Sequence, residues 1–102
     1  MAYELSIAKT AREELKALKA FDRNRIMDSI EKQLIDSPTV VTRNRKLLGK
    51  TKTSFAFVPP LWELRVGDYR VFYDVDEAER VVSVRSVRRK LADQTTEDVT
   101  NA

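Results

Sequence analysis

The fold is decided by residues 61–73, which read Leu-Trp-Glu-Leu-Arg-Val-Gly-Asp-Tyr-Arg-Val-Phe-Tyr. β-branched and aromatic residues, which are typical of strands, lie on both sides of the central Gly67-Asp68 pair. Glycine at the first position of a two-residue turn favours a type II′ hairpin, because that position needs a positive φ. The stretch therefore predicts two antiparallel strands, over 61–66 and 69–75, joined by a tight turn.

The same turn predicts which residues share a face of the sheet, because side chains alternate along a strand. A two-residue loop pairs Val66 with Tyr69, and the other pairs follow in register. One face is then apolar and should form the core: Trp62, Leu64, Val66, Tyr69, Val71, Tyr73 and Val75. The opposite face should carry Leu61, Glu63, Arg65, Arg70, Phe72 and Asp74.

Arg65 and Arg70 are predicted to lie directly opposite each other on that second face. Like charges at such a cross-strand pair destabilise a sheet by about 0.2–1 kcal/mol. We therefore expect an acidic neighbour, Glu63 or Asp74, or an anionic ligand to offset the repulsion.

The rest of the chain predicts an α+β fold. Alternation over 3–8 indicates a strand, and a capping box from Thr10 to Glu13 opens a helix. Asp22 is predicted to cap a second helix, ending before Pro38 and completing an α-helical hairpin. Residues 38–60 are predicted as a loop with a short strand near 54–58. With a strand at 81–87, the prediction is an N-terminal strand, an α-helical hairpin and a three- to four-stranded, mainly antiparallel sheet.

The composition limits the chemistry available to the chain. Its 102 residues include no His and no Cys, which removes disulfides, thiol nucleophiles, histidine bases and the commonest zinc ligands. We predict no metal and no cofactor. The N-terminus has no basic segment followed by a long apolar stretch, so we expect a cytoplasmic protein with no membrane partner.

Basic residues concentrate in two segments. The first, residues 39–58, has no acidic residue, and its basic residues are Arg43, Arg45, Lys46, Lys50 and Lys52. The second, residues 80–90, also has no acidic residue and covers the last predicted strand and its end; its candidate residues are Arg85, Arg88, Arg89 and Lys90. Both are candidates to bind a nucleic-acid backbone, although the first could equally be a solvated loop. Phe72, beside Arg70, is the candidate for stacking on a base, whereas Trp62 and Tyr73 are predicted to pack in the core.

The acidic residues have a complementary distribution. The segment after Lys90 has Asp93, Glu97 and Asp98 and no basic residue, so the net charge of +3 divides into +6 for residues 1–90 and −3 for residues 91–102. We predict one domain over 1–90, followed by an acidic C-terminal tail over 91–102.

The order of predicted elements and the hairpin strand Tyr-Arg-Val-Phe-Tyr at 69–73 resemble the RelE/ParE toxin superfamily over residues 3–90. The resemblance implies a toxin of a type II toxin–antitoxin pair, with a cognate antitoxin as partner. RelE-like members cut mRNA at the ribosome, whereas ParE-like members inhibit DNA gyrase on the same fold. A third alternative is a catalytically degenerate homologue that only binds its antitoxin.

The resemblance also suggests site residues for ribosome-dependent mRNA cleavage. Arg70 matches a catalytic Arg, and Lys90 is the nearest match to a second one. However, Leu61 and Glu63 stand where RelE-type enzymes have two Lys, and no Tyr or His follows Tyr73. Cleavage by a 2′-hydroxyl needs charge stabilisation at phosphorus and a base. Our candidate catalytic residues are Arg70, Arg65 and Lys90 for charge and Glu63 as the base, which could instead be a simple charge partner.

Overall fold

The computed structural model describes residues 2–102, in which eight elements follow one another: β1 (Glu4–Ile7), α1 (Lys9–Lys16), α2 (Ala20–Leu34), β2 (Arg45–Gly49), β3 (Leu61–Val66), β4 (Tyr69–Asp76), β5 (Val81–Arg89) and α3 (Thr96–Thr100). The strands form one sheet in the order β1-β5-β4-β3-β2. β1 is parallel to β5, and the other pairs are antiparallel. The predicted α+β fold is confirmed. No helix between residues 2 and 102 is long and apolar enough to cross a bilayer.

The central hairpin has the predicted register. Val66 pairs with Tyr69 and Trp62 with Tyr73. Gly67 has a φ of +57°, and Asp68 is not among the residues with positive φ, which is the pattern of a type II′ turn. Glycine is needed here because a side chain with a Cβ is strained at this φ.

The fourth strand of the antiparallel part lies at 45–49 rather than near 54–58, where we expected it. Lys46 of β2 pairs with Glu63, and Leu47 pairs with Trp62. The sequence Arg-Lys-Leu-Leu-Gly does not have the alternation of a strand, and Lys and Gly are depleted in strands. Pairing with β3 therefore determines this strand more than its own residues do.

The two helices cover the predicted core face of the sheet. Ile26, Ile30 and Leu34 are fully buried against it, together with Leu64 and Tyr73. The buried Tyr73 hydroxyl donates a hydrogen bond to the Pro38 carbonyl at 2.6 Å, and burial raises the pKa of this phenol. This bond fixes the end of the helical hairpin over the sheet.

Both predicted helix caps are wrong. α1 begins one residue before Thr10, after Ala8, without a side-chain cap. α2 begins after Lys19, which places Asp22 in the first turn, where its negative charge interacts favourably with the helix dipole. The hairpin itself is confirmed, since neither error changes the face that each helix buries.

A second, smaller core lies on the opposite face, which we call the outer face. It contains Phe55, Leu61, Phe72 and Val99. Phe72 is fully buried, and its ring stacks on Phe55 with centroids 5.6 Å apart. The prediction that Phe72 stacks on a base is therefore wrong, because this ring is already enclosed by protein.

The C-terminal segment, which we predicted as an acidic tail, folds back over this outer face. Thr95 and Asp98 form a capping box that begins α3. Val99 is buried in the second core, and the buried Thr100 hydroxyl donates to the Lys52 carbonyl at 2.6 Å. Residues 95–100 thus pack against the loop before β3.

The second core should contribute measurably to stability. We expect Phe72→Ala to lower the free energy of unfolding by about 3–5 kcal/mol, because it leaves a cavity among Phe55, Leu61 and Val99. Phe72→Leu should cost about 1–2 kcal/mol, since it retains most of the apolar volume. Chemical denaturation followed by circular dichroism measures both.

Phe21→Ala is the matched control for this experiment, because Phe21 is 77% exposed. We expect it to change stability by less than about 0.5 kcal/mol. A Phe72→Ala variant as stable as the Phe21→Ala variant would contradict the second core.

Candidate anion-binding site

Three arginines form a row across adjacent strands on the outer face. Arg70 of β4 pairs with Arg65 of β3 on one side and with Arg88 of β5 on the other. Directly opposite residues in a sheet have Cβ atoms about 4.5–5.5 Å apart. The arrangement therefore concentrates positive charge and needs negative or polar partners.

Glu63 partly compensates the central arginine. Arg70 Nε lies 3.5 Å from Glu63 Oε1, and both side chains are about nine-tenths buried. Arg70 Nη1 donates to the carbonyls of Gly67 and Tyr69, each at 2.9 Å. The pKa of Arg70 is nevertheless lowered, chiefly because burial disfavours its charge, and Arg65 lowers it further while Glu63 opposes the shift. The predicted acidic neighbour is thus Glu63.

Arg88, the arginine of β5, contacts a carboxylate, backbone carbonyls and an aromatic ring. Arg88 Nε lies 3.3 Å from Glu14 Oε2 of α1. Arg88 Nη1 donates to the carbonyls of Val99 and Thr100, at 2.9 and 3.2 Å, and its guanidinium lies over the Phe55 ring. The Arg88 side chain therefore ties α1 and the C-terminal segment to the sheet. The prediction that Arg88 binds nucleic acid is wrong, because its guanidinium is already engaged by protein groups.

Arg65 has no such compensation. Its side chain is exposed and forms no ion pair among residues 2–102. It borders a cavity of about 180 Å³ on the outer face, lined by Arg43, Asn44, Lys46, Glu63, Arg65, Arg70, Lys90 and Thr96. The cavity joins the start of β2, the central hairpin and the end of β5.

Two backbone hydrogen bonds hold these segments together. The Arg65 amide donates to the Asn44 carbonyl, and the Lys90 amide donates to the Asp68 carbonyl, each at 2.7 Å. The first bond brings the basic segment before β2 to the hairpin, and the second brings the basic end of β5 to the turn. The basic segment around β2, the central hairpin and the basic end of β5 therefore meet at this cavity.

The electrostatics of the cavity favour an anion. Five basic side chains and one carboxylate line it, and that carboxylate, Glu63, is also directly opposite Lys46. A phosphate oxygen could accept charge-assisted hydrogen bonds from several of these groups at once. Among residues 2–102, no cluster of His, Cys, Asp or Glu is suited to hold a metal ion.

Two predicted nucleic-acid-binding residues lie elsewhere and have structural partners. Arg45 points to the helical side, where Nη1 donates to the Gln33 carbonyl and to Ser37 Oγ. Arg85 forms a bidentate pair with Asp74, at 2.7 and 3.2 Å, near the other end of β4. These two predictions are wrong for this cavity, since neither side chain reaches it.

The remaining basic residues are exposed at the surface outside the cavity. Lys50 and Lys52 follow β2, and Arg89 lies 3.9 Å from Asp68. Sequence reasoning missed Asn44 and Thr96, which line the cavity. The Thr-x-x-Asp pattern at 95–98 could have indicated a helix that positions Thr96, whereas nothing in the sequence pointed to Asn44.

A protein-family model matches most of the chain. It describes the ParE toxin of a type II toxin–antitoxin system and matches residues 5–93. A search of curated proteins gives no significant match.

Solved structures show the same fold. The archaeal RelE–RelB complex from Pyrococcus horikoshii OT3 aligns with a TM-score of 0.69 and 22% identity, covering 90% of this chain and 99% of that chain. The RelBE2 toxin–antitoxin complex from Mycobacterium tuberculosis aligns with a TM-score of 0.67 and 21% identity, covering 88% and 100%. The intact E. coli RelBE complex aligns with a TM-score of 0.61 and 29% identity, covering 88% and 98%.

The exposed end of the arginine row should favour anion binding at the expense of stability. We expect Arg65→Gln to raise the free energy of unfolding by about 0.2–1 kcal/mol without added anions, because it removes the repulsion with Arg70. The same variant should gain less stability than the unmodified protein when inorganic phosphate is added. Denaturation with and without phosphate, at constant ionic strength, measures both effects.

Arg12→Gln is the control, because Arg12 is an exposed arginine of α1 that does not line the cavity. It removes the same charge and should leave the response to phosphate unchanged. An Arg65→Gln variant that phosphate stabilises as much as the Arg12→Gln variant would exclude Arg65 from anion binding.

Proposed function

Since the chain belongs to the ParE toxin family of type II toxin–antitoxin systems, we propose that it inhibits translation by cleaving mRNA bound at the ribosome. A cognate antitoxin is its partner, as in the solved RelE–RelB and RelBE complexes. The ribosome and mRNA are its proposed targets, so we expect it to act in the cytoplasm.

One observation carries this proposal: the cavity collects five cationic side chains around a single buried carboxylate. A phosphodiester carries one negative charge, and its charge grows at the phosphorane formed during cleavage. Preorganised cations that face this developing charge are usually the largest single source of catalysis. The cavity therefore suits phosphoryl chemistry on a nucleic-acid backbone.

The side chains then take distinct roles. Arg70 is held by Glu63 and two carbonyls, so it is preorganised to stabilise the phosphorane. Arg65 of β3 and Lys90, which directly follows β5, bind the non-bridging oxygens. Arg43 and Lys46 bind the adjoining phosphates, as basic side chains do on any nucleic-acid backbone.

Glu63 is the candidate base for the 2′-hydroxyl. Oε1 is near Arg70, whereas Oε2 is buried without a hydrogen-bond partner. In the proposed reaction the 2′-oxygen attacks phosphorus and its proton passes to Glu63. The bond to the 5′-oxygen then breaks, that oxygen takes a proton from water, and a 2′,3′-cyclic phosphate remains. An unsatisfied buried oxygen is costly, and a substrate hydroxyl is a donor that would satisfy it.

The lysines that the RelE resemblance leads us to expect at 61 and 63 have a partial substitute. Leu61 belongs to the second core, but Lys46 lies directly opposite Glu63 on the next strand. Lys46 of β2 therefore adds positive charge beside that of Arg65 on β3, which supports nucleic-acid binding despite the altered sequence.

Inhibition of DNA gyrase is the second candidate. It is favoured by the matched family, which carries the name of the ParE toxin, and by Glu63 being engaged with Arg70 instead of standing free as a base. This alternative needs no RNA, so a supercoiling assay with purified gyrase separates the two functions.

Lys46 provides the sharpest test of cleavage, because it is exposed and can be replaced without unfolding the protein. We expect Lys46→Ala to reduce ribosome-dependent mRNA cleavage by about 10–100-fold, since a phosphate contact near the reacting group is lost. Mapping mRNA 5′ ends on purified ribosomes measures the rate.

Lys50→Ala is the matched control, since Lys50 is an exposed lysine outside the cavity. It should cleave at the unmodified rate. Intact mRNA with the unmodified protein, together with inhibition of gyrase, would contradict the proposed function and support the alternative.

A further inference from the structure

A second concave surface lies on the outer face, at the opposite end of β4 from Arg70. It is a groove of about 670 Å³ between the β4–β5 turn and the loop before β3, and we call it the acidic groove. Along β4, the nearest lining residues of the cationic cavity and the groove are Arg70 and Asp74, which are four residues, or about 13 Å, apart. They are independent sites on one face.

The floor of the acidic groove is apolar and fixed in place. Val58 is 61% exposed there, although its backbone amide is anchored by a 2.8 Å hydrogen bond to Asp74 Oδ2. Val81 lines the same groove and is only partly buried. An exposed valine held by a buried carboxylate is a preformed contact for an aliphatic side chain.

The rim of the groove is negative. Asp74 and Arg85 neutralise each other, and the other charged lining residues are the exposed Asp76, Glu77 and Glu79. Glu77 accepts a 2.7 Å hydrogen bond from Tyr3, and Arg80 lies over the Tyr3 ring, so this corner is structured. The groove thus carries a net charge of −3 on a chain whose net charge is +3.

These properties select the occupant. Nucleic acid is repelled by the acidic rim, and a purely apolar peptide would leave the carboxylates unpaired. We propose that the acidic groove binds a segment of the cognate antitoxin that presents an aliphatic side chain flanked by Lys or Arg. This inference rests on the proposed antitoxin partner, and it makes the groove an anchor outside the cationic cavity.

The test uses the unmodified chain, two groove variants and two matched controls. Glu79→Lys reverses a rim charge, and Glu31→Lys reverses an exposed glutamate on α2. Val58→Asn removes the apolar contact, and Val41→Asn changes a valine of similar exposure, 66%, outside the groove. The probe is the purified protein encoded by the gene beside the toxin gene, and surface plasmon resonance measures its affinity.

We expect Glu79→Lys to weaken antitoxin binding about tenfold, mainly through a slower association rate that loses its salt dependence. Val58→Asn should weaken binding about fivefold through faster dissociation. Both variants should remain toxic on induction and escape neutralisation by co-expressed antitoxin, whereas Glu31→Lys and Val41→Asn should behave like the unmodified chain.

Other results overturn the inference in distinguishable ways. Unchanged affinity of both groove variants, with the unmodified chain binding normally, overturns the groove as an anchor and leaves the antitoxin partner intact. No binding by the unmodified chain overturns the partner and the inference together. Self-association of the unmodified chain that Glu79→Lys abolishes would assign the groove to a second copy and also overturn the inference.

Discussion

The row formed by Arg65, Arg70 and Arg88 is the constraint on which the outer face depends. A sheet places the side chains of paired residues close together, so three arginine side chains leave the sheet along one line across β3, β4 and β5. Burial makes this repulsion stronger, because charges are poorly screened away from water. Each arginine therefore needs a carboxylate, a carbonyl or an anion beside it, and the segments that provide these groups pack around the row.

The three arginines have different partners, and this difference leaves a candidate anion-binding site at one end of the row. Glu63 and two backbone carbonyls hold Arg70, while Glu14 and the C-terminal carbonyls engage Arg88. Arg65 alone is left to solvent at the edge of a cavity that Lys46 and other cations also line. The Arg88 end of the row is thus paired with protein groups, whereas the Arg65 end is open to an anion.

The sequence predicted the parts of this arrangement that local patterns determine. The Gly67-Asp68 turn sets the hairpin register, so the facing pair of Arg65 and Arg70 was predictable, and Glu63 was one of the acidic neighbours expected to offset it. Long-range packing decided the rest. Phe72 was assigned to the correct face, but its burial depends on Val99, 27 positions later in the chain. Arg45 and Arg85 belong to the predicted basic segments, yet Ser37 and Asp74 engage them away from the cavity.

The most direct test of the arginine row as a phosphodiester site is a titration followed at the arginine Nε–H groups by ¹⁵N NMR. The probe is a short 2′-O-methyl RNA, which cannot cleave itself. We predict saturable shifts at Arg70 and Arg65, with little change at Arg85, whose guanidinium is paired with Asp74 outside the cavity. Equal shifts at Arg65, Arg70 and Arg85, or no shift at Arg70, would contradict the account.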